Sequence, residues 1–305
     1  MSELVKRIIS AVILLSVYLF GFLYTGAYYI QLFVIGAFII LAGLSEFYRI
    51  LERPGTQLFK NEGKFYSLLI ALVFYLDLLF ARFSHLFAGS SLYNLYSENL
   101  SFKIALLLVF IMLFHVFFIQ ISFRKIEGAS YAIGASLMGV FYLAIPLSMF
   151  FQILSNAAGV YYILFLSLVT IINDSGAYFG GKLFGKTPAG IKASPNKTRE
   201  GYLFGFAFSV LAALAFNYVW FLDANDQAAG SFVETIILAL LISFSGNLGD
   251  LAESCLKRDA GVKDSANLIP GHGGILDRVD SLIFTIPVLY IYISLKEVVK
   301  IPVFQ

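Results

Sequence analysis

Apolar positions in this chain run together rather than alternating. Nine stretches, at 8–25, 29–48, 65–83, 104–122, 131–152, 159–179, 202–222, 232–249 and 282–299, are almost continuously apolar. Each is close to the roughly 20 residues that a helix needs to cross a hydrocarbon core of about 30 Å. A strand of a membrane barrel would alternate apolar with polar residues, so continuous runs predict helices, which satisfy every backbone donor and acceptor within the segment. The first run is too long for the core of a signal peptide and lacks a small-x-small cleavage site, so it is expected to be retained. The expected fold is all-α: a polytopic integral membrane protein of about nine transmembrane helices with cytoplasmic active-site loops.

Composition excludes the competing classes. Of 305 residues, 59% are hydrophobic and only 13% charged, with a mean hydropathy of +0.85. Soluble domains are about 25% charged, and disordered chains are polar, so neither a water-soluble core nor disorder is expected. A lone cysteine, Cys255, cannot form an internal disulfide, and a formal charge of +2 gives no reason to expect a nucleic-acid partner. The placement of charge says more than its sum. With nine spans, 17 of the 21 Lys and Arg residues fall on one side, and only Arg82, Lys103, Lys296 and Lys300 on the other. The positive-inside rule makes the first side cytoplasmic, with the amino terminus inside and the carboxyl terminus outside.

No internal repeat is present, but the chain divides by chemistry. Residues 1–160 hold spans one to five with short connections and one longer outer loop near 84–103. Residues 161–305 hold spans six to nine and two polar cytoplasmic loops, 180–201 and 250–281, where chemistry is expected. In the second loop, Asp250, Glu253, Ser254 and Lys257 recur at helical spacing, on one face of a helix continuing from the eighth span. Gly261 is expected to end that helix, and Pro270-Gly271-His272-Gly273-Gly274 to form a loop where backbone can approach a ligand. Asp277 and Asp280, three residues apart, share a face at the start of the ninth span and offer the hard oxygens that Mg²⁺ takes. An Asp-x-x-Asp pair alone reads most simply as a solvated surface feature. Here the aspartates share 31 residues at a bilayer boundary with Lys257-Arg258, Lys263 and a glycine-flanked His272. Carboxylates for a metal, and a metal with cations for phosphates, are what nucleotidyl or phosphoryl transfer requires.

The first loop adds hydroxyls and further cations. Asn173-Asp174-Ser175-Gly176-Ala177-Tyr178 closes the sixth span, and Ser194, Lys197 and Thr198 precede the seventh. Gly180 to Thr187 satisfies the pattern GxxxxGK[ST], but a P-loop joins a strand to a helix, whereas this segment follows a membrane span and runs into Pro188. A basic juxtamembrane loop drawn to anionic lipid is the plainer reading.

Both loops resemble one family. Gly249-Asp250-Leu251-x-Glu253, Ser254-x-x-Lys257-Arg258, Lys263-Asp264 and Pro270-Gly271-His272-Gly273-Gly274-x-x-Asp277-Arg278-x-Asp280 look like the signature of the phosphatidate cytidylyltransferases, also called CDP-diacylglycerol synthases. The elements around Asp174 and at Ser194-Pro195-x-Lys197-Thr198-x-Glu200-Gly201 are similar to two others of that family. The resemblance covers about 170–281, and residues 1–160 carry no matching motif. It implies the reaction of CTP with phosphatidate to give CDP-diacylglycerol and pyrophosphate, on the cytoplasmic side of a bacterial inner membrane. It further implies Mg²⁺, as two cations per site, on Asp250, Asp277 and Asp280, with Lys197, Lys257, Arg258, Lys263 and Arg278 on phosphates. Ser194 and Thr198 would help hold CTP, Asp174 would face the polar site, and His272 would orient a phosphate or donate a proton. A homodimer is implied only by the resemblance.

Three other functions use similar groups, among them a CDP-alcohol phosphotransferase, whose expected paired Asp-Gly and Ala-Arg elements are missing ahead of Asp277 and Asp280. A CTP-dependent polyprenol or dolichol kinase would need a comparable site and attack a different phosphate. An ion-coupled transporter, from another class, could use Asp77 and Asp174 as a relay, but such proteins show repeats and broken helices that are not evident here. Asp77, inside the third span, is either functional or a hydrogen-bonded interface residue. Glu46 is either a helix–helix partner or a residue lining the site. His85 and His115 have no ligand partners at suitable spacing and read as structural.

Overall fold

Polar residues, not only apolar ones, decide where the helices of this computed structural model end. The structure describes residues 16, 21, 29–83, 100–224, 230–266, 268–269 and 273–299. Eight described helices are long and apolar enough to cross a membrane: α1 (Ile30–Ile50), α2 (Lys60–Arg82), α3 (Leu100–Phe123), α4 (Ala129–Ser155), α5 (Gly159–Phe184), α6 (Arg199–Ala224), α7 (Phe232–Asp259) and α8 (Leu276–Val299). They coincide with the second to ninth apolar runs. The first run, 8–25, and most of the outer loop near 84–103 lie outside the described residues. Helices outrun the apolar runs wherever helix-compatible polar residues flank them: α2 starts at Lys60, α5 continues through Lys182, and α7 continues to Asp259. The connections that remain are therefore 185–198 and 260–275, shorter than the expected loops. Among the described residues there is no strand, only isolated bridges at Pro188–Thr198 and Ile269–Gly273. The chain is all-α and polytopic, and folds as two compact units, 1–155 with 259–279 and 156–258 with 280–305.

In the first unit, Tyr48 of α1 is fully buried and donates its hydroxyl to the Ser136 carbonyl of α4 at 2.9 Å. Gly63 of α2 and Gly139 of α4 leave room for that ring; a Cβ at either would overlap it. Leu44, Phe47, Phe74, Leu78, Leu143 and Phe151 complete the buried centre. Between helices in lipid, such packing gains dispersion energy rather than hydrophobic energy. α4 widens into a π turn over Val140–Ala144, just ahead of Pro146. Proline offers no N–H and crowds the carbonyl four residues back, and a widened turn absorbs both effects. Two intramembrane polar groups of α2 have partners on α3. Asp77 accepts from the Ser101 hydroxyl, and the Tyr66 hydroxyl lies 3.2 Å from His115 Nδ1. His85 lies outside the described residues.

In the second unit, α5 and α6 meet where Gly176 and Gly180 face Phe208 and Phe204. α7 and α8 approach at Gly246 and Gly249, and a Cβ at Gly249 would overlap the Asp280 carbonyl oxygen. α7 opens with a reciprocal cap. Glu234 N donates to Ser231 Oγ at 3.3 Å, and Ser231 N donates to the Glu234 carboxylate at 3.1 Å. That carboxylate also pairs with Lys296 of α8 at 3.0 Å and accepts from the Tyr292 hydroxyl. One end of the α7–α8 pair is thus fastened by charge.

Candidate active site

The other end of the same helix pair carries the acidic residues. α7 stays helical past Gly249, which aligns Asp250, Glu253 and Lys257 along it, and it stops before Gly261, whose φ of +70° is a left-handed conformation. Asp250 receives the Lys197 ammonium as an ion pair, and that ammonium also lies 5.5 Å from the Tyr202 ring centroid. Both partners are half-buried. Burial alone would lower the pKa of Lys197, but the charge and hydrogen bond of Asp250 outweigh it, so the value is raised and the side chain stays cationic. Glu253 is completely buried, and Lys257 one turn later supplies its counter-charge.

Asp280 lies on α8 at the closest approach of α7 and accepts from its neighbour Ser281 N at 2.7 Å. The negative charges of Asp250 and of Asp174 on α5 both bear on it, with Lys257 acting in opposition. Three expected site carboxylates therefore form one electrostatic group, with Lys197 and Lys257 as its cations. Asn173 holds α5 in register with α7. It is buried, its Nδ2 lies 3.3 Å from Asp174 Oδ1, and it donates to Asn247 of α7 at 3.2 Å. The sequence reading gave Asn173 and Asn247 no role. Their signal was present: each is an amide in an apolar run, one adjacent to Asp174 and the other a turn before Asp250. Buried amides persist only where they are hydrogen-bonded.

The 185–198 connection folds back on itself, with Ala189 N donating to Lys197 O at 2.8 Å and Arg199 N to Thr187 O at 3.0 Å. Glu200 accepts from the backbone N–H of Lys186 at 3.2 Å and of Thr187 at 3.1 Å. Thr198 caps α6 by accepting from Gly201 N at 3.2 Å. Ser194 is half-buried at the turn that delivers Lys197. Gly180–Phe184 belong to α5, so the GxxxxGK[ST] string has no strand before it.

Asp277 falls in the first unit, where it closes the 260–275 connection. Its Oδ2 accepts from Ser265 N at 3.1 Å, Ser265 Oγ at 2.7 Å and Gly274 N at 2.8 Å. Glu46 of α1 meets the same segment, accepting from Ile275 N and Leu276 N at 3.1 and 2.8 Å, and its Oε2 lies 3.0 Å from Ser265 Oγ. Arg258, Lys263 and Arg278 are exposed. His272 lies outside the described residues. Among the described residues, no three His, Cys, Asp or Glu side chains form a ready-made metal cage. Mg²⁺ is commonly held by one or two carboxylates with waters and substrate phosphates, so a like-charged group of hard oxygens suits it without such a cage.

The model of the cytidylyltransferase family matches this chain over residues 5–296. The chain is 43% identical over 155 residues to the phosphatidate cytidylyltransferase of Staphylococcus aureus (strain COL), a match covering 51% of this chain and 56% of that protein. It is 36% identical over 194 residues to the phosphatidate cytidylyltransferase of Bacillus subtilis (strain 168), covering 63% and 68%. The protein of that name from Staphylococcus haemolyticus is 38% identical over 194 residues, covering 64% and 70%. The chain thus spans little more than half the length of the Staphylococcus aureus relative.

Proposed function

This chain belongs to the cytidylyltransferase family, and on that premise we propose that it transfers the cytidylyl group of CTP to phosphatidate. The observation that carries the proposal is the Asp174–Asp250–Asp280 group with Lys197 and Lys257, built on helix ends of an integral membrane protein. A phosphate-monoester oxygen of phosphatidate attacks the α-phosphorus of CTP; the bond to the bridging oxygen breaks, and pyrophosphate leaves. That nucleophile is anionic near neutral pH, so the chain need not supply a base, and its work is positioning and charge balance. Lys197, Lys257, Arg258, Lys263 and Arg278 neutralise phosphate oxygens, Ser194 and Thr198 donate to CTP, and His272 orients a phosphate. Asp250, Asp277 and Asp280 would hold two Mg²⁺ ions, which would supply positive charge to the phosphates. The Lys and Arg bias supports a cytoplasmic site in a bacterial inner membrane, which the lipid enters laterally. Pairing of two copies rests on the family resemblance alone.

A turnover assay on purified, detergent-solubilised protein tests this, using phosphatidate, α-labelled CTP and Mg²⁺. Labelled CDP-diacylglycerol is expected, abolished by EDTA and reduced about a hundredfold or more by Asp280→Asn. Transfer of the γ-phosphate to a polyprenol, with no labelled lipid from phosphatidate, would replace this reading with the kinase.

A further inference from the structure

The start of α8 has a cap that its own sequence cannot supply. The first N–H groups of a helix have no intrahelical acceptor. The residue before α8 is Ile275, whose side chain accepts nothing. The Glu46 carboxylate, from a helix 229 residues earlier in sequence, accepts from Ile275 N, and also from Leu276 N, 230 residues away. Glu46 is only 5% exposed within an apolar span, a costly position for a carboxylate unless donors converge on it. Its two backbone donors, Ile275 N and Leu276 N, and the Ser265 hydroxyl near it all come from residues 265–276. Its negative charge at a helix amino terminus is favourable besides.

The contacts continue from Glu46 to Asp277. Ser265 Oγ lies 3.0 Å from Glu46 Oε2 and 2.7 Å from Asp277 Oδ2, and so bridges the two carboxylates. Arg49, one turn after Glu46, donates to the Ser265 carbonyl. Gly274 completes the fit, since a Cβ there would overlap both Ser265 Oγ and the Glu46 carboxylate. We propose that Glu46 is a positioning residue: through Ser265 and the first turn of α8, it holds the chain at Ser265 and at Gly274–Ile275 and so orients Asp277. Its catalytic consequence rests on the function proposed above, in which Asp277 is a cation ligand; the clasp itself does not.

Glu46→Gln tests this in the full-length protein in detergent, because an amide nitrogen cannot accept from a backbone N–H. Trypsin is expected to cut at Lys263 about fivefold faster or more, while cutting at Lys186 and Lys192 in the other connection keeps its wild-type rate. The Mg²⁺ concentration for half-maximal turnover is expected to rise about tenfold, with Glu46→Asp recovering part of the loss. Ser265→Ala, a gentler change, should move both readouts in the same direction. Unchanged Lys263 cleavage in Glu46→Gln overturns the clasp, and so does equal acceleration at all three sites, which would mean general unfolding. Faster Lys263 cleavage with an unchanged Mg²⁺ requirement overturns the aiming of Asp277. A wild type that makes no labelled lipid overturns the functional reading, and selective Lys263 cleavage still decides the clasp.

Discussion

Asp250 and Lys197 neutralise each other, and that pairing has a measurable sign. The folded-state pKa of Lys197 lies above its ordinary 10.5. With Asp250 ionised, the pair therefore contributes its full stability below that value and loses it as pH rises through the raised one. Asp250→Asn removes the attraction and leaves burial acting alone, which lowers the value. We expect an amine-reactive reagent at about pH 8 to label Lys197 faster in Asp250→Asn than in wild type, read by peptide mass spectrometry, since only the uncharged amine reacts. Turnover should fall about a hundredfold or more in the same variant. Unchanged labelling would show that Asp250 does not hold the ammonium. Thr198 teaches a related lesson at this scale. Its hydroxyl oxygen accepts from Gly201 N as the cap of α6, which leaves the hydroxyl proton for the CTP contact proposed above, so one side chain can serve both uses.

The contact of α7 with α8 depends on two glycines that are not equivalent. At Gly249 a Cβ meets the Asp280 carbonyl, which is backbone and cannot turn aside, whereas at Gly246 the nearest atom is Thr285 Cγ2 at 3.3 Å. Gly249→Ala should destabilise by about 1–3 kcal/mol and Gly246→Ala by less. Thermal unfolding in detergent measures this, and turnover should fall further in the first variant because Asp250 and Asp280 move apart. The existence of these helices was legible in continuous apolar runs, and the end of α7 in Gly261. The π turn of α4 was not, because it answers a local conflict at Pro146 that leaves the apolar pattern intact. The Glu46 clasp was only half legible: a carboxylate in a span needs a partner, but a partner more than two hundred residues away leaves no trace in local spacing. Asn173 and Asn247 were visible as amides in apolar runs, yet nothing in either run names the other.

For the whole molecule, the charge bias predicts which ends of the helices meet the cytoplasm. Cys255, the single cysteine, is exposed near the carboxyl end of α7 and reports on that directly. A membrane-impermeant maleimide should label it in inside-out vesicles and not in intact cells. The opposite pattern would invert the topology and place the acidic group outside. Both outcomes leave the all-α fold untouched, since burial and helix length do not depend on direction of insertion.

The two charged ends of the α7–α8 pair also act as a ruler. Glu234 and Asp250 stand sixteen positions apart on α7, as do Asp280 and Lys296 on α8, with no charged residue between either pair. At 1.5 Å per residue both intervals are about 24 Å, slightly less than a typical hydrocarbon core. Fastened at Glu234–Lys296, the pair sets how far from the opposite interface its acidic end can stand. In a thicker bilayer, the phosphate of a lipid substrate would lie several ångströms beyond Asp250 and Asp280 unless the membrane thinned around them. Turnover in liposomes should therefore fall severalfold from carrier lipids with 18-carbon chains to those with 22-carbon chains, even with an identical phosphatidate substrate. Preference for membrane thickness would then follow from the spacing of four charges, without any pocket that measures an acyl chain.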